Sequence, residues 1–265
     1  MANSSGLSRR AALRQQQELE ARRKRNSRII VASLLALAAI VIAIVVIVIA
    51  DNAGQDQQQA AGAQQTPPNA TTSNGIEVVS TGTEAAPDAP HVVVYEDYQC
   101  SGCAAYEATY GPALMELVDN GEITIEFITA SFMQDRLQND SSARPAAAAA
   151  AADAVGYYRQ YHAVVFANQP TTAQGYTDDQ LLEDFPAEAG ITGEDLGRFQ
   201  ELYRDGVFTD FVAAQDQQFI DSSFTSTPTY AVGGVALEFF DENEALQIQP
   251  TVDDMRRAIL EAADQ

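Results

Sequence analysis

Two cysteines occur in the 265-residue chain, and they stand three apart as Cys100-Ser101-Gly102-Cys103. Thiols at this spacing can ligate zinc, close a small structural disulfide, or exchange electrons with another dithiol. A structural zinc site takes four ligands. Here the thiols have His91 and His162 to join them, and both rings would have to converge on one point. A structural bridge across two intervening residues closes almost no loop and gains little chain entropy. Redox exchange asks less of the rest of the chain. A cysteine that opens a helix has its thiolate stabilised by unpaired N–H groups and the helix dipole. The thiolate is the species that attacks in disulfide exchange. Cys103 then lies one turn further in, close enough to resolve a mixed disulfide. Ser101 and Gly102 let the backbone turn tightly without crowding an incoming chain.

That chemistry needs a strand before the motif and a helix after it, and the pattern supplies both. Residues 91–95 are a mostly apolar, β-branched run, as expected of a strand buried on both faces. Residues 104–118 read as a helix that Pro112 should kink. Residues 76–79 form a short strand, and 122–129 a second core strand with Ile123, Ile125 and Phe127 on one face. Helices follow: one from 146 that could continue to 166 after Pro145, one opened by the capping box at Thr177 to Gln180, one capped by Thr192, and one capped by Thr209. Strand character returns at 229–232, and Gly233-Gly234 turns into 235–240. Thr251 caps a last helix through 262. Strands alternating with helices predict an α/β sheet, and the block of helices in the middle predicts an inserted helical subdomain over about 140–222.

A second chemical signal is Thr227-Pro228, directly before the strand at 229. It reads either as an ordinary trans proline at a strand start, or as a cis proline facing the cysteines with Thr227 offering backbone groups to a bound peptide.

Residues 92–106, VVVYEDYQCSGCAAY, resemble the active-site strand and helix of the DsbA-like branch of the thioredoxin superfamily. Residues 225–234, TSTPTYAVGG, are similar to that family's cis-proline segment and hairpin, and 161–170, YHAVVFANQP, to a helix end in its inserted domain. The resemblance covers nearly all of 75–265. It implies a thioredoxin fold with an inserted helical domain, exchange of disulfides with exported proteins, Cys100 as nucleophile, Cys103 as resolving thiol and Pro228 as the cis proline. The sequence departs from the pattern twice. Typical oxidases of the family carry a histidine between the cysteines, where this chain has Ser101-Gly102. Many relatives place a buried acid six residues before the first cysteine, where this chain has Val94. Glu96 and Asp97 then read as solvated loop-edge carboxylates, with assistance to proton transfer as the alternative.

The rest of the chain says where such a domain would work. Residues 1–28 carry a net charge of +6 and the remainder −28, with no lysine after Lys24. Between them, 29–50 is an uncharged run of 22 residues whose one polar side chain is Ser33, long enough to span a bilayer as a helix. The positive-inside rule puts 1–28 in the cytoplasm and everything after the span outside, unless the run is a cleaved signal peptide. Residues 51–74, rich in Gln, Ala, Asn and Thr, read as a disordered linker to a domain over 75–265. The acidic domain is repelled by nucleic acid, which excludes that class of partner.

The reading is thus a membrane-anchored oxidoreductase that needs no cofactor and no metal. It would oxidise dithiols of exported proteins and be recycled by a membrane redox partner. Alternatives are a reductase or isomerase of the same fold, and a non-catalytic surface domain that keeps the disulfide for rigidity. Protease added to intact spheroplasts is expected to degrade the C-terminal domain; protection would remove the exterior assignment.

Overall fold

The computed structural model of the protein describes residues 63–170 and 174–265. The basic segment, the apolar run 29–50 and the linker as far as residue 62 lie outside the described residues, and the expected membrane span with them. Among the described residues no helix is long and apolar enough to cross a membrane.

Five strands, β1 (Ile76–Glu77), β2 (His91–Glu96), β3 (Thr124–Thr129), β4 (Thr229–Val232) and β5 (Val235–Ala236), form one sheet in the order β1-β3-β2-β4-β5. β2 and β3 are parallel, with Val92 opposite Ile125 and Val94 opposite Phe127. Parallel neighbours need a crossover, and α1 (Ser101–Asp119) supplies it, running without interruption through Pro112. The other pairings are antiparallel. Val92, Val94, Ile125 and Phe127 share the main core with Leu114 and Leu117 of α1 and with Met255 and Ile259 of the last helix. Val93, Tyr95 and Ile128 turn to the other face, where Phe219 covers them. Both faces of β2 are therefore covered, which is why it reads as an unbroken apolar run.

Between β3 and β4 stand α2 (Phe132–Leu137), α3 (Ala143–Asp153), α4 (Tyr158–Ala167), a π-helical stretch Gln180–Asp184 running into α5 (Phe185–Glu188), α6 (Gly193–Arg204) and α7 (Thr209–Asp221). The last helix is α8 (Val252–Ala263). The insertion begins at Phe132, earlier than the expected 140. α2 buries none of its six residues, so it left no periodic apolar signal. The helix expected over 146–166 is two helices. The chain turns between them, with Gly156 at φ +82, a left-handed conformation that ends a helix. All seven alanines from Ala146 to Ala152 lie in α3, and all but Ala147 are buried. Their small side chains let α4, α6 and α7 pack on α3.

The capping box at Thr177 forms, with Thr177 N–H donating to Gln180 Oε1 at 2.9 Å and Gln180 N–H to Thr177 Oγ1 at 3.2 Å. Thr251 Oγ1 accepts from Asp254 N–H at 3.2 Å and caps α8. Thr192 precedes α6 without a side-chain cap bond, and Thr209 is the first residue of α7, its hydroxyl turned back to the Gly206 carbonyl at 2.9 Å. The strand expected over 235–240 ends at Ala236, and Phe240 returns only as an isolated bridge to Leu246.

The folded domain starts before residue 75, which corrects the linker boundary. Gln65 N–H donates to Val207 O at 2.7 Å. Asn69 donates twice to Asp153, from its backbone at 2.9 Å and its amide at 2.8 Å. The Thr71 hydroxyl donates to Glu126. Composition read this stretch as unable to bury a core; it is held by these hydrogen bonds, with Pro67 buried and Ala70 packed against the core. Asp153→Ala strips Asn69 of both acceptors and is expected to cost about 1–3 kcal/mol, read by urea denaturation. An unchanged midpoint would show that Asp153 does not hold the segment.

Candidate active site

β2 ends at Glu96, and residues 97–99 carry the chain into α1. Cys100 is the N-cap of α1, with φ −77 and ψ 114 and no side-chain cap bond. Its N–H donates to Asp97 O at 2.8 Å, and its carbonyl accepts from Ala104 N–H at 3.2 Å. The first N–H groups of α1 are therefore left to the sulfur, as the sequence reading required. Cys100 is partly exposed, whereas Cys103, one turn on, is 2% exposed, and both are free thiols.

The antiparallel register of β4 on β2 places Thr229 opposite Tyr95. This brings the residues before β4 to the mouth of α1. The Thr227–Pro228 peptide bond is cis. The Thr227 carbonyl lies 3.4 Å from Cys100 Sγ, where it accepts from the thiol. A Cβ at Gly102 would stand 3.3 Å from Pro228 Cδ and 3.6 Å from Cys100 Sγ, so a side chain there would crowd the proline ring and only touch the sulfur. Cys100, Cys103, Thr227 and Pro228, far apart in sequence, are thus one cluster.

The two thiols are electrostatically unlike. Cys100 is pulled down to about 5, first by the Cys103 thiol donating to it, against the opposing effect of burial, then by Thr227 and by the backbone N–H groups of Cys103 and Gly102. The Thr227 hydroxyl is buried with no other hydrogen-bond partner among the described residues, so it is free to donate once Cys100 ionises. Burial pushes Cys103 far above the ordinary thiol range, and its bond to Cys100 adds to the rise. One sulfur is a ready thiolate and the other holds its proton.

Glu96 and Asp97 are not solvated loop-edge groups. They are 3% and 0% exposed, because the helical insertion closes over the loop. Glu96 Oε1 meets His162 Nε2 of α4 at 2.8 Å. Burial raises Glu96 and His162 offsets part of that rise. Burial opposes the charge on His162, but Glu96 outweighs it and the ring's pKa rises. Asp97 accepts from Gln99 N–H at 2.8 Å, Ser142 Oγ at 2.7 Å and Met133 N–H at 3.1 Å. Burial lifts it to about 6 against those three bonds. Gln169 Nε2 donates to the carbonyls of Tyr98 at 2.9 Å and Cys100 at 3.0 Å, and Tyr176 OH to Tyr98 O at 2.9 Å.

Ser142, Gln169 and Tyr176 were not singled out from sequence as site residues, and His162 was weighed there only as a zinc ligand. The segment 161–170 carried the one signal, since it holds both His162 and Gln169. His91 lies elsewhere, at the start of β2 with Glu126 at 3.3 Å, so the two histidines do not converge with the thiols. A cavity of about 460 Å³ in the insertion is lined by Gln134, Arg144, Tyr203 and Asp216 and by neither cysteine. The thiol chemistry lies at the surface, where a polypeptide can reach it.

A sheet with a parallel central pair, a Cys-x-x-Cys at the first turn of the crossover helix and a cis proline facing it define a thioredoxin fold, here with a helical insertion. The family model Thioredoxin_4, described as thioredoxin, matches residues 76–259, and the chain belongs to that family. Solved structures share the fold. MdbA, a thiol-disulfide oxidoreductase from Actinomyces oris, superposes with a TM-score of 0.59 at 18% identity, covering 76% of this chain and 94% of that one. The reduced form of DsbG, a disulfide bond oxidoreductase from Mycobacterium tuberculosis, gives 0.55 at 22% identity over 74% and 90%. Oxidised BdbD from Bacillus subtilis gives 0.54 at 17% identity over 76% and 100%. No curated protein matches the sequence significantly.

A thiol whose pKa is depressed on folding stabilises the reduced protein fully above its unfolded pKa and loses that stabilisation as pH falls through the folded value. For Cys100 that window runs from about 9 down to about 5. The melting temperature of the reduced protein, corrected for that of Cys100→Ser, is expected to rise from pH 5 to pH 9. Thiolate absorbance at 240 nm should titrate with a midpoint near 5. A midpoint above 8 would remove the helix-stabilised thiolate.

Proposed function

We propose that the protein is a membrane-anchored thiol-disulfide oxidoreductase whose domain lies outside the cytoplasmic membrane and oxidises dithiols in exported proteins. The observation that carries this reading is the unequal thiol pair: a partly exposed, acidic Cys100 above a buried, proton-retaining Cys103. The fold neighbours described as thiol-disulfide or disulfide bond oxidoreductases support it.

The reaction starts from the Cys100–Cys103 disulfide. A client thiolate attacks Cys100 Sγ; the Cys100–Cys103 bond breaks, a client–Cys100 bond forms, and Cys103 leaves and takes up a proton. A second client thiolate then attacks the client sulfur of the mixed disulfide and expels Cys100 as a thiolate. Two electrons have passed from the client dithiol to the enzyme pair. An acidic Cys100 is a good leaving group in the second step. It also stabilises the reduced pair, which makes the disulfide a stronger oxidant. This favours oxidase over reductase or isomerase even without a histidine between the cysteines.

Thr227 and Pro228 border the sulfur that is attacked. Thr227 offers its backbone to an extended client chain, and Pro228 shapes the wall beside it. The basic segment 1–28, the span 29–50 and the residues that follow hold the domain at the membrane, where a redox partner reoxidises the pair.

In Cys103→Ser the Cys100 thiolate can still attack a client disulfide and displace one client thiolate, but no Cys103 thiol is present to release it, so client adducts are expected to accumulate on non-reducing gels. Cys100→Ser should accumulate few or none. Equal trapping by the two variants would contradict the assigned order of the thiols.

A further inference from the structure

The carboxylate of Asp97 sits at an unusual junction. Through its backbone the residue is tied to the head of α1, where its carbonyl accepts Cys100 N–H at 2.8 Å. Through its side chain it is bound to the helical insertion, by Ser142 Oγ at the entrance of α3 and by Met133 N–H in α2. Gln99 Nε2 donates to the same Ser142 oxygen at 2.9 Å, which leaves the hydroxyl proton to point at Asp97. Ser142 and Asp97 are both 0% exposed, so neither can exchange these bonds for water.

We propose that Ser142 and the Asp97 carboxylate form a positioning unit through which the helical insertion sets the redox balance of the Cys100–Cys103 pair. The unit fixes the Asp97 backbone, whose carbonyl holds Cys100 N–H at the head of α1, and so sets how the N–H groups of Gly102 and Cys103 face the Cys100 sulfur. A sulfur in a disulfide is a weak acceptor, as is a neutral thiol, whereas the Cys100 thiolate takes up such donors strongly. Correct placement of the donors therefore favours the reduced pair over the oxidised one. Slackening the unit withdraws that preference, and the disulfide becomes a weaker oxidant.

This inference rests on the reading of Cys100 and Cys103 as a redox pair, but its test does not require a client protein. The isolated protein is equilibrated with reduced and oxidised glutathione, which supply or accept the two electrons, and the dithiol fraction is read by alkylation and mass. Stability of the oxidised and reduced forms is measured in parallel by chemical denaturation. Ser142→Ala is expected to shift the equilibrium about three- to tenfold toward the disulfide; tenfold is about 30 mV for a two-electron couple. It should raise the Cys100 pKa and destabilise the reduced form more than the oxidised one. Gln99→Met, which removes only the bond that orients the hydroxyl, should shift the balance the same way by less and serves if Ser142→Ala does not fold.

A merely structural serine would weaken both redox forms equally and leave the equilibrium where it is; that result overturns the proposal. An Asp97 that acted only by its charge would give the opposite sign. Losing a donor would leave its carboxyl more protonated, relieve the repulsion on Cys100 and lower that thiol's pKa, and this outcome also overturns it. A wild-type pair with a measurable potential but no client trapping would defeat the function proposed above and leave the positioning unit standing.

Discussion

A thiolate at the edge of a protein core loses water, and it persists only where fixed donors replace that water. Cys100 meets this condition by standing at the N-cap of α1 with its side chain released from capping. The N–H groups of Gly102 and Cys103, the Cys103 thiol and the Thr227 segment all come to one sulfur. Much of the fold serves that convergence. β2 must end one loop before the motif, α1 must start at Cys100, and β4 must run antiparallel to β2 so that residues 227 and 228 arrive on the opposite side.

The helical insertion adds a second layer of control. It supplies His162 to Glu96, Ser142 and Met133 N–H to Asp97, and Gln169 and Tyr176 to the carbonyls of the loop. Two buried carboxylates beside two thiols would be expensive alone, and removing one partner of a buried pair strands the other charge at a cost of about 3–5 kcal/mol. Each carboxylate has partners from the insertion, so the loop before Cys100 is held from outside the sheet. The alanine-rich α3 makes this closeness feasible, since seven small side chains let three other helices approach the one that Ser142 precedes.

The cluster also separates the tasks of the two thiols without a histidine between them. Gly102 leaves space where a side chain would press on Pro228 beside the Cys100 sulfur. The acidity of Cys100 thus comes from backbone donors, the neighbouring thiol and Thr227, while the burial of Cys103 keeps its proton in place. Exposure differs in the same sense, with Cys100 partly exposed and Cys103 buried.

The sequence by itself determined the strands at 91–95 and 229–232, the helix after the cysteines, the capping by Thr177 and Thr251, and the candidate cluster of Cys100, Cys103, Thr227 and Pro228. These are local signals: apolar runs, a two-residue spacing, a hydroxyl three residues before its donor. The break at Gly156, the short α2 and the attachment of residues 63–74 were hidden, because isolated glycines, six residues of which none is buried and polar hydrogen-bonded segments leave no periodic trace. The role of Glu96 and Asp97 was misread for a deeper reason. Sequence shows that a carboxylate follows a strand; it does not show what will cover it. Burial of Asp97 depends on Ser142, 45 residues on, and that of Glu96 on His162, 66 residues on. Only the packing of the insertion against the sheet decided that these acids face His162 and Ser142 instead of water, because desolvation is a property of the assembled surroundings and not of the residue.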